Sequence, residues 1–294
     1  SQKGYIGSWA SFGVMSGFLL ASLIALIVND LSDKHPEIEW LIWRVPFTLA
    51  LLGSSIGLYI RLFIPESLEY IIYYSDRPKP KLTSLISESI HYIKANKLQS
   101  LYVFLLSCLG VTTTFQIYIY GPMQAHLYGH YSDYNIMVSN ISSLVVLLCV
   151  FPIVGKLSDK IDREKIIVAA CMGFLILTHP FFNLLSQGSP YQLTLIQALI
   201  AIPAGAYYAT VPVMLAEMFP LRLRCTVLSV LYSIAASLSA GMAPLLSLIL
   251  VKSTGMATSP MLLMFTLTAC LLVTKGFQSI KNKKQKMQNS PAGS

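Results

Sequence analysis

Residues 135–165 read NIMVSNISSLVVLLCVFPIVGKLSDKIDREK, and this stretch decides the fold. Its first part, Asn135–Val154, contains no charged side chain over about 20 residues, the length a helix needs to cross the hydrocarbon layer of a membrane. Its second part, Gly155–Lys165, contains seven charged residues in one short loop. The pattern predicts a membrane-spanning helix that ends in a charged turn.

The same alternation of apolar segment and charged loop continues through the 294 residues. Only 12% of the chain is charged and 54% is hydrophobic, whereas about 25% of a typical soluble protein is charged. We therefore expect an all-α membrane protein with about eight spans, numbered in chain order. The predicted spans are Ser8–Val28, Leu41–Phe63, Leu98–Met123, Asn135–Val154, Ile166–Leu185, Leu193–Met214, Thr226–Val251 and Pro260–Phe277.

The basic residues predict the orientation in the membrane. Of the 21 Lys and Arg residues, all but Lys34, Arg44 and Lys252 fall on one side of the predicted spans. Cytoplasmic loops carry the excess of basic residues, so both termini are expected in the cytoplasm. The opening residues Ser1–Tyr5 show no signal-peptide pattern, and we expect the chain to be part of a longer protein.

The composition also argues against several classes of function. The basic residues flank apolar segments instead of forming one basic face, which argues against nucleic-acid binding. No phosphate-binding loop is present. We predict no enzyme, no metal site and no cofactor, because the histidines and cysteines lack ligand spacing. These residues are His35, His91, His126, His130, His179, Cys108, Cys149, Cys171, Cys225 and Cys270.

The loops divide the chain unequally. Residues 1–64 hold two spans, and residues 65–97 form a hydrophilic linker with a basic turn, Arg77–Lys81, and a predicted amphipathic helix, Thr83–Lys97. Residues 98–277 form a six-helix block, and residues 278–294 form a basic tail. We interpret this as two helices of one bundle followed by a complete second bundle.

Two charged loops are candidates for a conformational latch. In the first, Gly155 permits a sharp exit from a helix, and Asp159 or Asp162 is suited to cap the next helix. In the second, Glu217 closes a span and Pro220 turns the chain. An ion pair between a carboxylate and an arginine of these loops, such as Arg163 or Arg224, is a plausible latch.

Candidate substrate contacts are uncharged polar side chains within the spans. The third span is the richest in them; Gln116 and Tyr120 share one face there if the helix is regular. In the sixth span the candidates are Gln197, Tyr207 and Tyr208. Aromatic faces without fixed charge suit a zwitterion or a quaternary ammonium through cation–π contact. The alternative is that these polar groups face a neighbouring helix and only hydrogen-bond one helix to another.

In its charged loops and helix-end motifs the chain resembles the major facilitator superfamily, and within it the metabolite:proton symporters. The loop G-x-L-S-D-K-x-D-R at Gly155–Arg163 resembles the superfamily's signature loop between the eighth and ninth helices. The stretch A-E-x-F-P-x-x-x-R at Ala216–Arg224 resembles the loop between the tenth and eleventh helices. Lys3-Gly4 with Gly7-Ser8-Trp9 is similar to the start of the fifth helix, with lysine for the usual arginine. Trp43–Phe47 and Pro65-Glu66-Ser67 resemble the sixth helix and its exit.

The resemblance implies a major facilitator-type bundle whose eight helices are equivalent to the fifth to twelfth of a twelve-helix carrier, N-terminally truncated. It implies secondary-active transport of a small organic solute, proline/betaine-type or dicarboxylate, by proton symport and alternating access in a bacterial inner membrane. The coupling carboxylates are expected in the four absent helices. The alternative is a non-transporting fragment or a structural or channel subunit that needs a partner chain.

Overall fold

The structure is a computed structural model that describes residues 2–65, 71–72 and 82–288, without the side chains of residue 82 and of residues 280–288. The predicted basic turn Arg77–Lys81, the Glu66-Ser67 part of the helix-exit motif and the last residues of the predicted tail lie outside the described residues.

Long helices make up nearly all of the described chain. They are α1 Lys3–Lys34, α2 Glu39–Ile42, α3 Val45–Phe63, α4 Leu82–Ala95, α5 Lys97–Phe115, α6 Gly121–Tyr128, α7 Asp133–Leu157, α8 Arg163–Gln187, α9 Pro190–Glu217, α10 Leu221–Thr254 and α11 Met261–Gln288. A 3₁₀ turn, Pro36–Ile38, precedes α2, and a π-helical turn, Gln116–Tyr120, joins α5 to α6.

Eight helical segments of the described chain are long and apolar enough to cross a membrane. Each overlaps one of the predicted spans, so the predicted all-α membrane fold is confirmed. The helices are longer than the apolar segments because polar residues continue the helical hydrogen bonding beyond the hydrocarbon layer; α10, for example, has 34 residues.

Local sequence signals start several of these helices. Ser132 caps α7 by accepting the Asn135 N–H at 3.3 Å, and Asp162 caps α8 by accepting the Glu164 N–H at 3.0 Å. At α9, Ser189 and Gln192 form a reciprocal capping box. Such caps satisfy N–H groups that have no partner inside the helix. They define the turns between α6 and α9.

Two layers of packing build the core. In one, α7 lies against α9, and α8 packs on α9; in the other, α5 packs between α10 and α11. Helix α1 crosses α7 and α9, and α11 closes against α8. The buried cluster includes Tyr102, Phe151, Phe174 and Phe181. The small helix α4 packs on α10, where Glu88 pairs with Arg222 at 2.8 Å.

The second span differs from the others. It breaks at Trp43–Arg44 between α2 and α3, next to Pro46, whose nitrogen cannot donate the hydrogen bond that a continuous helix requires. Helix α3 has no buried residue. Most of its side chains are apolar and exposed, among them Phe47, Leu51 and Phe63 at 66–74% exposure. Its whole circumference is suited to lipid or to other helices.

The two ends of the bundle differ in charge. We use "basic end" for the end formed by Lys3, the loop 155–163 and the loop 217–221, and "opposite end" for the end formed by the turns 35–44, 128–133, 187–190 and 254–261. Gln99 at the start of α5 donates to the Met218 carbonyl at 2.5 Å, which ties this helix to the basic end.

Candidate functional site

A cavity of about 480 Å³ opens between α1, α5, α9 and α10. Its walls are mostly apolar, with hydroxyl groups and aromatic rings distributed among them, and no charged side chain lines it within the described residues. The polar and aromatic lining residues are Ser11, Ser107, Thr114, Tyr207, Tyr208, Ser229 and Tyr232. Four separate helices therefore meet around one uncharged chamber.

The two adjacent tyrosines of α9 form one wall of this cavity. The Tyr207 hydroxyl donates to the Leu106 carbonyl at 2.6 Å, and the Tyr208 hydroxyl donates to the Gly110 carbonyl at 3.2 Å. Thr114 donates to the Tyr208 hydroxyl at 2.9 Å. The two rings stand at 87° with centroids 6.0 Å apart. These hydrogen bonds hold both rings against α5, so the rings are already in position before a ligand binds.

Gly110 makes this arrangement possible. A Cβ atom at Gly110 would lie 3.2 Å from Cε1 of Tyr207 and 3.8 Å from Cε1 of Tyr208. The glycine therefore lets the two rings approach the backbone of α5 closely at this wall of the cavity.

The predicted polar residues of the third span lie elsewhere. Gln116 is fully buried, and its amide donates to the Ser247 hydroxyl at 3.3 Å and the Pro260 carbonyl at 3.2 Å. Tyr120 is also fully buried, next to Phe182. Both belong to a π-helical turn, whose spacing differs from the α-helical spacing that places positions i and i+4 on one face. Neither residue lines the cavity.

Gln197 of α9 joins two helices. Its amide oxygen accepts a hydrogen bond from Ser139 of α7, and its backbone carbonyl accepts one from Ser143 at 2.9 Å. The structure therefore brings Tyr207 and Tyr208 together at the cavity and places Gln116, Tyr120 and Gln197 at helix contacts.

At the basic end, the loop after α7 contacts the beginning of α1. Asp159 accepts the N–H groups of Gly4 at 2.7 Å and Tyr5 at 3.0 Å, one on each carboxylate oxygen. The positive end of the α1 dipole faces this carboxylate. Lys156 adds a cation–π contact, with its nitrogen 5.3 Å from the centre of the Tyr5 ring.

Two glycines bring the helices close enough for this contact. A Cβ atom at Gly4 would lie 2.0 Å from Oγ of Ser158, and one at Gly155 would lie 2.4 Å from Oγ of Ser8. Any side chain at either position would push α1 away from α7. The close approach requires both glycines.

The other predicted latch residues lie at the same end, and Arg163 and Glu217 extend the polar contact of Asp159. Arg163 lies 4.0 Å from Asp159 and pairs with Glu217, which joins the first loop to the end of α9. Asp162 caps α8, and Pro220 is the residue before α10. Arg224 donates to the Phe219 carbonyl at 3.4 Å and does not take part in an ion pair within the described chain.

The contacts of Asp159 shift its protonation. Desolvation acts to raise the pKa of this carboxyl group, but the N–H groups of Gly4 and Tyr5 and the charge of Arg163 together outweigh it. The pKa of Asp159 therefore lies below its ordinary value of 3.8. The side chain is 14% exposed, so the charged contact remains accessible to water.

Sequence reasoning identified Asp159 but not its partner. An aspartate in a loop is expected to cap the helix that follows it. In the structure Asp162 caps that helix, and Asp159 instead accepts hydrogen bonds at the start of α1, 155 residues earlier. The pairing of Lys275 with Glu164 was also not foreseen. Ser11, Ser229 and Tyr232 were not predicted as site residues; they line the cavity because four helices come together there.

The sequence matches the Major Facilitator Superfamily over residues 2–182 and again over residues 106–292. It is 25% identical to the glycine betaine/proline/ectoine/pipecolic acid transporter of Dickeya dadantii, with 100% of this chain and 59% of that protein covered. It is 25% identical to the proline/betaine transporter of Salmonella typhimurium (93% and 55% covered) and 26% identical to the citrate-proton symporter of Salmonella typhi (88% and 58% covered).

The chain thus spans between 55% and 59% of the length of these relatives. The matches together extend over almost all of its residues. The protein is an integral, multi-pass membrane protein that belongs to the Major Facilitator Superfamily.

Proposed function

We propose that this chain is part of a secondary-active carrier for a small organic solute of the proline/betaine type, with proton symport by alternating access. The observation that carries the proposal is the uncharged, tyrosine-lined cavity between α1, α5, α9 and α10. The names of the relatives support the same class of solute.

The chemistry of the cavity favours a zwitterion or quaternary ammonium over a citrate-like anion. The rings of Tyr208 and Tyr232 in the cavity lining are suited to attract a cationic head group without a full opposite charge. A multiply charged carboxylate needs basic partners, and none of the described residues that line the cavity is basic. A dicarboxylate or citrate carrier is the second candidate, supported by the relative from Salmonella typhi.

This chain covers only part of the length of its relatives, which supports a larger carrier. We propose that the carrier contains four further helices, that α1 and α3 are the last two helices of its first bundle, and that residues 98–277 are its second bundle. The exposed surface of α3 supports this division because a helix without a buried side chain has room for further helices. Coupling carboxylates would lie in the further helices, since the cavity contains none among the described residues.

The contact at the basic end is suited to act as the latch between the two bundles. Asp159, with Gly155, Arg163 and Glu217, joins the second bundle to the start of α1. We place this end in the cytoplasm because of its basic loops. Closing the contact would favour one orientation of the bundles, and breaking it would favour the other.

Uptake of labelled solutes tests the proposed function. Cells that express the gene should accumulate proline or glycine betaine, and a protonophore should abolish the accumulation. Uptake that is unaffected by the protonophore would refute proton coupling. Accumulation of citrate but not of proline or glycine betaine would favour the second candidate, and absence of any uptake would favour a structural or channel subunit.

A pair of variants tests the cavity. Tyr208→Leu removes an aromatic face and should raise the KM for glycine betaine about tenfold, whereas Tyr208→Phe keeps the face and should change KM much less. Tyr134, which is 66% exposed and does not line the cavity, gives the matched control Tyr134→Leu with unchanged KM. Equal effects of Tyr208→Leu and Tyr134→Leu would contradict the assignment.

A further inference from the structure

A second hollow of about 470 Å³ lies away from the tyrosine-lined cavity, between the halves of α7 and α8 that are near the basic end and the middle of α9. Apolar and small side chains line it, including Leu157, Ile166, Ala169 and Ala206. Lys165 is the charged residue in its described lining. We call this hollow the α8 groove.

The α8 groove opens toward the membrane. Several of its large apolar lining residues are exposed: Ile202 is 48% exposed, Ile161 43% and Leu157 41%. In a membrane-spanning segment such side chains face hydrocarbon. The hollow is therefore one that lipid reaches directly.

The shape of the groove follows from one glycine and one proline. A Cβ atom at Gly173 would lie 2.7 Å from Cβ of Pro203, so α8 and α9 touch there and close the inner end. From Lys165 to Gly173 the helix rises about 12 Å, slightly less than the roughly 15 Å of one half of the hydrocarbon layer. The groove thus extends from the level of the head groups almost to the membrane centre.

Lys165 stands at the outer end of this groove without a described partner. It is exposed, and no hydrogen bond or ion pair of its amine is found among the described residues. The two nearest acids in the sequence are engaged otherwise, since Asp162 caps α8 and Glu164 pairs with Lys275. Its positive charge is available to a ligand.

We propose that the α8 groove binds an anionic phospholipid of the surrounding bilayer, with one acyl chain along Ile166, Ala169 and Gly173 and the phosphate at Lys165. An apolar channel of this length fits an acyl chain, and a free lysine at its head-group end complements a negative charge. The proposal concerns a surface outside the substrate cavity and does not depend on which solute is carried.

Photo-crosslinking in nanodiscs tests this proposal on the whole chain. The probe is phosphatidylglycerol with a diazirine near the end of one acyl chain, in a phosphatidylcholine bilayer, and adducts are mapped by mass spectrometry. We expect adducts concentrated on 166–173 and 202–206. Unlabelled phosphatidylglycerol should compete about fivefold better than phosphatidylcholine with the same chains.

Two variants separate the head group from the acyl chain. Lys165→Gln should reduce the fivefold preference to about one, while Lys94→Gln, at another exposed lysine of the basic end, should leave it intact. Ala169→Phe should fill the groove and remove most adducts there. Ala269→Phe, at an exposed alanine of α11, is the matched control that should leave them unchanged.

Three results would overturn the proposal: adducts spread evenly over exposed helices such as α3, equal competition by both lipids in the unmodified protein, or crosslinks in the groove to a second copy of the chain. The crosslinking experiment measures lipid contact and not solute uptake. The lipid proposal can therefore fail while the proposed transport is confirmed, and the proposed transport can fail while lipid binding is confirmed.

Discussion

The two ends of the bundle are joined in different ways. At the basic end, α1 meets the loop after α7 through Asp159, whose side chain is 14% exposed and charged. At the opposite end, α6 meets α8 and the turn before α11 through Gln124, which is fully buried and donates to Phe182, Ser186 and Ala257.

The difference indicates which contact is able to open. A buried amide that loses its partners is left unsatisfied in a medium without water, which costs stability and keeps the contact closed. A carboxylate at a helix N-terminus near water exchanges protein N–H groups for water at lower cost. We therefore interpret the basic end as the releasable joint and the Gln124 contact as the permanent one.

The largest expected effect is on the permanent joint. Gln124→Leu removes the donor to one serine hydroxyl and two carbonyls at this contact, and we expect it to lower the free energy of unfolding by about 2 kcal/mol. Thermal unfolding of the purified protein measures the loss. Gln187→Leu, at an exposed glutamine of α8, is the control; equal losses in both variants would contradict the assignment.

The next effect is on the releasable joint. Ser8 is 1% exposed and packs against Gly155, so a cysteine at this position reports separation of α1 from α7. In a Ser8→Cys protein without its native cysteines, Asp159→Ala should increase the rate of maleimide labelling about tenfold.

Asp162→Ala is the matched control for this experiment because it removes a helix cap of the same loop that does not contact α1. It should leave the labelling rate of Ser8→Cys close to that of the parent. Equal acceleration by both aspartate variants would show that the loop unfolds as a whole and that Asp159 has no special role.

The releasable joint should also depend on pH. The pKa of Asp159 is lowered in the folded protein, so its contribution is complete above about pH 4 and is lost as the pH falls through the lowered value. The mobility of a spin label at Ser8→Cys should rise below pH 4. Asp159→Asn should remove this transition, and a transition that persists in that variant would assign it to another group.

The smallest expected effect concerns the link between the loop and α9. Arg163 is 18% exposed and Glu217 44%, and partly exposed ion pairs contribute about 1 kcal/mol or less. Arg163→Gln should accelerate labelling of Ser8→Cys about two- to threefold. Arg222→Gln, which breaks the exposed pair with Glu88, should not change it; equal rates in the two variants would contradict a role for Arg163 in the latch.

Much of the fold was predictable because it depends on local rules. An apolar stretch such as Asn135–Val154 has one stable form in a membrane, since every backbone group must be bonded within its own helix. The loop Gly155–Arg163, together with three further motifs in the same order, then indicated the family. No distant contact had to be known for either inference.

The site was predictable only in part because it depends on distant contacts. Tyr207 and Tyr208 were selected for their residue type, and the structure places them at the cavity with Ser11 of α1 and Tyr232 of α10. The choice of Gln116 and Tyr120 assumed a regular helix, whereas a π-helical turn changes their spacing. Hydrogen bonding of Asp159 to Gly4 bridges 155 positions, which no local pattern encodes.

The most direct test of the account is the response of the releasable joint to solute. In nanodiscs, glycine betaine or proline should change the labelling rate of Ser8→Cys severalfold, because the proposed alternating access would break and remake the contact at Asp159. Sucrose at the same osmolality should have no effect. A labelling rate that is the same with glycine betaine, proline, sucrose and buffer would contradict the proposal that this joint opens during transport.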